Sequence, residues 1–178
     1  DLRNGGVAAL AALLAGLALP PEATAAAIDG SAHQRLATGD LAGAVATWES
    51  LASSRADPRL HFNAGAALLR GGDPEGAIRR FDRALPGASP RLQRDTLFNR
   101  GHARFALGAM AITADPPDPD RTIAEWEAAL LDFTAAAELD PTDADAAFNR
   151  DRVAELLSQF KDEQPPAEQP PADPQADP

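Results

Sequence analysis

The sequence contains no cysteine and no tyrosine, and only one methionine and one lysine among its 178 residues. Without cysteine there is no disulfide framework, no thiolate metal site and no thiol to accept a lipid. Basic residues are outnumbered: 16 Lys and Arg against 27 Asp and Glu leave a net charge of −11. That balance argues against a nucleic-acid or anionic-membrane binder, because counterion release needs clustered cations. Catalytic signatures are also missing. There is no Gly-x-Ser-x-Gly elbow, no phosphate-binding glycine loop and no dinucleotide fingerprint. His33, His61 and His102 fall singly in three different predicted helices, with no second ligand one turn away. The sequence therefore points to no enzyme, no metal and no cofactor. A hydrolase or ligand-binding protein with an unrecognised site would need an enclosed pocket of convergent titratable groups, and no such cluster is legible.

What is there is helix, in short units. Ala, Leu and Arg are abundant and β-branched residues few, a composition that favours helices. Residues 57–90 read as one complete helix–turn–helix. Asp57-Pro58 supplies a side-chain cap and a proline at the first helical position, where its missing N–H costs nothing. Leu60, Ala64, Leu68 and Leu69 recur at helical spacing, and Gly71-Gly72 ends the helix. Asp73-Pro74-Glu75 opens a second helix whose packing face is Ala77, Phe81, Ala84 and Leu85. Two such short helices cannot bury that face alone, so neighbouring copies are expected.

The copies are present. Gly39-Asp40 with Ala44 and Trp48 anticipates Gly72-Asp73 with Ala77 and Phe81 at an offset of 33. Phe62-Asn63-Ala64-Gly65 returns 36 residues later as Phe98-Asn99-Arg100-Gly101, and again as Phe148-Asn149. Ala129, Phe133, Ala136 and Pro141 restate the second-helix face. This pattern closely resembles the tetratricopeptide repeat (TPR) consensus over residues 28–160. The resemblance implies an all-α, right-handed TPR-type α-solenoid of about three repeats plus a C-terminal capping helix.

In chain order, residues 1–27 read as an address. Arg3 precedes an apolar run over 7–19, Pro20-Pro21 breaks it, and Ala23-Thr24-Ala25 and Ala25-Ala26-Ala27 fit a small-x-small cleavage rule. The run is short for a spanning helix, which needs about 20 residues. A secretory signal peptide and a retained N-terminal membrane anchor both remain open. The first repeat is degenerate in its first helix, 31–37, and regular in its second, 41–53. The third unit's first helix is predicted over 90–110. The acidic, proline-rich stretch 114–120 then reads as a widened, solvated connector. Its Asp115, Asp118 and Asp120 lack the spacing and the glycine of a calcium-binding EF-hand. Thr122 with Glu125 reads as a capping box opening a helix to 139, and the last helix is predicted over 144–160. Residues 161–178 carry no large apolar side chain and read as a disordered, acidic, Pro-rich tail, either a spacer or a docking strip.

Function then rests on a binding surface. In TPR arrays the first helix of each unit lines a concave groove, and an Asn there contacts extended peptides. The matching positions are Asn63, Asn99 and Asn149, whose amides can both donate to and accept from a peptide main chain. Helical spacing puts Arg59, Arg70, His102, Phe105 and Arg152 on or near the same face. Clustered Arg favours an acidic or carboxylate-terminated ligand. Phe62, Phe98 and Phe148 border the face and are expected to pack between helices.

The layout also resembles the TPR proteins of bacterial Bat (aerotolerance) gene clusters: an apolar leader, Phe-Asn repeats, a widened connector, a last helix carrying Ala146-Ala147-Phe148-Asn149-Arg150, and a Pro/Gln-rich tail. That resemblance implies a periplasmic or envelope-associated scaffold whose partner is a membrane-anchored von Willebrand A-domain protein, alongside a MoxR-type ATPase. A structural homo-oligomerisation module is the alternative.

Overall fold

A computed structural model describes residues 30–164. The leader expected over 1–27 and the tail beyond 164 lie outside the described residues. The described chain is all-helical: α1 (Gly30–Ala37), α2 (Leu41–Ala52), α3 (Pro58–Arg70), α4 (Pro74–Ala84), α5 (Pro90–Thr113), α6 (Pro119–Leu139) and α7 (Ala144–Asp162).

The starts of these helices share one chemistry. The Asp40 carboxylate accepts from Gly43 N–H at 2.9 Å, Asp73 from Gly76 N–H at 2.8 Å and Asp118 from Arg121 N–H at 2.9 Å. Asp57 and Asp143 cap α3 and α7 in the same way, and Pro58, Pro74, Pro90 and Pro119 each occupy a first helical turn. The α1–α2 and α3–α4 turns are made by Gly39 and Gly72, at φ of 84° and 81°, a conformation that side chains beyond glycine rarely adopt.

Packing follows the chain. Each helix packs chiefly on its neighbours in sequence, with a lighter contact between α3 and α5. Three apolar clusters result, each closed by a helix pair and the helix that follows. Ala32, Ala44 and Trp48 meet Leu60 and Ala64 of α3. Phe62, Ala77, Phe81 and Ala84 meet Ala103 of α5. Phe98, Phe105, Trp126, Ala129 and Phe133 meet Ala146, Val153 and Leu157 of α7. No pair buries its face without the next.

Within a pair, glycine sets the approach. A Cβ on Gly65 would lie 2.7 Å from the Phe81 ring, and one on Gly101 2.9 Å from Phe133. Two turns further along α5, a Cβ on Gly108 would lie 2.5 Å from Trp126, seven residues before Phe133 in antiparallel α6. The third pair therefore repeats the glycine–aromatic step twice.

That repetition moves the helix ends on either side of the expected connector, of which residues 114–118 remain non-helical. α5 continues to Thr113 and α6 begins at Pro119, capped by Asp118 rather than by a Thr122/Glu125 box. The reason is packing. The Trp126 indole donates to the Phe105 carbonyl at 3.1 Å, and the Thr122 hydroxyl donates back to the chain, 3.0 Å from both the Gly108 and Asp118 carbonyls. These contacts hold both helices together past the point where the shorter units turn. At the other end, α7 runs two residues beyond Phe160 before the chain leaves the described region.

Candidate functional surface

On α3, Arg59, Asn63 and Arg70 share a stripe spaced four and seven residues apart. Asn99 with His102 on α5, and Asn149 with Arg152 on α7, occupy the corresponding stripes. The structure divides these residues by depth. Arg59 and Arg70 are exposed and Arg152 is half-buried. Asn63, Asn99, Asn149 and His102 are buried, Asn149 completely.

The amides lie inside because successive first helices pack on one another. Asn149 of α7 reaches His102 of α5, with its amide nitrogen 3.2 Å from the ring Nε2. The imidazole stands edge-on to Phe98 and Phe133, at centroid distances of 4.8 and 5.2 Å. One unit earlier, the residue in the place of His102 is Ala66, which offers no side-chain acceptor. Asn99 instead donates to the Asp95 carbonyl of its own helix at 2.7 Å. The Asn63 amide nitrogen is buried without a hydrogen-bond partner. Phe105 is wholly buried and stacks on Trp126 at 5.2 Å. Phe62 and Phe98 are buried against Phe81 and Phe133, whereas Phe148, expected to pack likewise, is exposed.

The arginines on the rim are held by carboxylates. Asp57 grips Arg59 with both oxygens, and its carboxyl is thereby pushed below the usual range. Arg152 pairs with Glu155 at 2.6 Å, one turn along. Exposed pairs of this kind contribute little stability, so an acidic ligand can exchange for the internal partner at small cost.

Two features of the surface had no counterpart in the sequence reading. The first is a buried charge seam. Arg100 makes two bonds to Asp132, at 2.9 and 2.6 Å, and a third to Asp82 at 2.6 Å, joining α5 to α6 and α4. Burial lowers the Arg100 pKa, but the two aspartates more than offset that and hold it above its ordinary value. The second is a groove beside the two-turn overhang of α5 and α6. Its floor is Leu107, Met110, Ala111 and Ala114, its wall is the 72–75 turn, and Arg121 pairs with Glu75 across it. The sequence signal for the groove was Asp118-Pro119, the same helix start as Asp57-Pro58, which places the overhang.

Among the described residues no group of three His, Cys, Asp or Glu could hold a metal ion, and no helix is long and apolar enough to cross a membrane. No family model, curated protein or solved structure matches the chain.

Proposed function

We propose that this chain is a non-enzymatic protein–protein interaction scaffold of the bacterial cell envelope, built as a TPR-type solenoid. The observation that carries the reading is the repeated glycine–aromatic approach of Gly65 to Phe81 and Gly101 to Phe133. It sits in units that each close their core with the next helix, as repeat arrays do. Such arrays offer long open faces rather than enclosed pockets, which suits binding a partner segment over turning over a substrate.

The binding face is the outer rim of the first helices, with Arg59 and Arg70 as the contacts for acidic or carboxylate-bearing residues of the partner. Of the three buried amides, Asn149 reaches across to His102 and ties α7 to α5. The apolar run over 7–19 would deliver the protein to the envelope, either as a cleaved signal or as a retained anchor. A membrane-anchored von Willebrand A-domain protein is the partner we propose. Charge reversal tests the face: Arg59→Glu with Arg70→Glu should weaken partner binding and flatten its salt dependence. Unchanged affinity and salt dependence would remove these residues from the contact.

Homo-oligomerisation is the second reading, favoured by Leu131, Leu139 and Phe148, large apolar side chains left exposed on α6 and α7.

A further inference from the structure

The outward stripe of α7 differs from its counterparts in a way that names a partner chemistry. On α5, positions Phe98, Gly101, Phe105, Gly108 and Ile112 form one stripe, spaced alternately three and four residues apart, and α6 lies on it. The same positions counted from the Phe-Asn pair of α7 are Phe148, Asp151, Glu155, Ser158 and Asp162, all exposed. No following helix lies on them among the described residues.

Phe148 is 53% exposed, whereas Phe62 and Phe98, in the same repeat position, are 4% exposed because the next helix covers them. Asp151 stands where Gly65 and Gly101 admit an aromatic ring to within 2.9 Å or less of a would-be Cβ. A carboxylate side chain fills that space. A further repeat helix, from this chain or from a second copy, therefore cannot seat as α4 and α6 do.

We infer that the α7 stripe docks a cationic helical segment of a partner protein, one apolar residue covering Phe148 and basic side chains meeting Asp151, Glu155 and Asp162. Charge complementarity selects this occupant over a second copy, since the chain itself carries a net −11. The internal partners of two of these carboxylates, Arg150 on Asp151 and Arg152 on Glu155, are surface pairs that an incoming cation can displace. The inference deepens the scaffold reading and rests on it, but uses residues separate from Arg59 and Arg70.

The test uses the full chain and a defined probe: an 18-residue amphipathic peptide with Leu and Arg on one face, and the same peptide with Glu for Arg. Binding is followed by fluorescence anisotropy, and mass by sedimentation. The Arg peptide should bind and the Glu peptide should not. Phe148→Ala should weaken binding about tenfold, as loss of a buried aromatic anchor does. Asp151→Lys with Glu155→Lys should abolish it, whereas Asp120→Lys with Glu138→Lys, the same change in net charge elsewhere, should leave it within about twofold.

The inference is overturned if the wild type does not bind, if both double variants weaken binding equally, or if Phe148→Ala has no effect. A concentration-dependent mass lost in Phe148→Ala would assign the stripe to a second copy instead. Failure here with success of the Arg59/Arg70 test would leave the scaffold reading standing and remove only this surface.

Discussion

The side-chain amide of Asn149 and the imidazole of His102 meet at 3.2 Å between α7 and α5, enclosed by Phe98 and Phe133. The contact joins residues 47 positions apart in sequence and fixes how one unit's first helix lies on the next. Truncation of Asn149 leaves a buried ring nitrogen without that partner, at a cost of about 1–3 kcal/mol. Asn149→Ala is expected to lower the urea midpoint by that measure. Asn63→Ala, whose buried amide nitrogen has no partner to lose, should cost less. Equal losses would mean that the His102 contact adds nothing beyond side-chain volume.

The glycine steps give opposite signs to a common substitution. Gly to Ala in an exposed helix interior stabilises by about 0.5–1 kcal/mol. At Gly101 and Gly108 the added methyl would sit 2.9 and 2.5 Å from Phe133 and Trp126, so overpacking of about 1–3 kcal/mol should dominate. Thermal melts of Gly101→Ala and Gly108→Ala should shift downward. An upward shift in either would show that the aromatic ring yields and that the approach is not tight.

Arg100 and Asp132 form the most enclosed ion pair of the seam, with Asp132 5% exposed. Arg100→Met removes both of its bonds to this buried carboxylate and leaves it Arg104 alone, 3.3 Å away, so the loss should lie at or below the ~3–5 kcal/mol typical of breaking such a pair. The double variant Arg100→Met with Asp132→Leu should recover most of the loss, because the desolvation penalty leaves with the charge. Denaturant unfolding of the two single and one double variant measures the coupling. Additive losses would contradict a direct pair.

His61 carries the clearest pH signal. Burial lowers its pKa first, and the nearby Arg80 and Arg83 lower it further, with Glu49 opposing. A base whose folded pKa lies below its unfolded value binds fewer protons when folded. Its contribution is therefore fully present above the unfolded pKa, near 6.5, and is lost as pH falls through the folded pKa. His61→Gln should flatten the decline in melting temperature as pH falls below about 6.5. A variant that follows the wild-type curve would place the acid sensitivity elsewhere.

Much of the architecture was legible locally. Asp57-Pro58, Gly71-Gly72 and Asp73-Pro74 are start and stop signals whose physics lies within a few residues, and they gave α3 and α4 nearly to the residue. Asp115-Pro116-Pro117 does form the connector, but the full overhang was not read, because Thr122 with Glu125 imitates a cap one turn inside the true start at Asp118-Pro119. The deciding facts, Trp126 against Gly108 and its bond to the Phe105 carbonyl, span 18 and 21 residues. The depth of the Asn positions failed for the same reason. Spacing put Asn149 on the right stripe, but only the packing of α7 on α5 turns that stripe inward. Phe148 is the converse case: its repeat position predicts burial, and the absence of a covering helix leaves it exposed.

The scaffold account is tested most directly by affinity capture from native membranes with the full chain as bait, beside the same chain carrying Arg59→Glu and Arg70→Glu. The account predicts that the wild-type bait recovers one membrane protein stoichiometrically and that the double variant, folded to the same melting temperature, does not. Equal recovery by both baits, or recovery of nothing but the chain itself, would contradict a partner held on the arginine rim of the first helices.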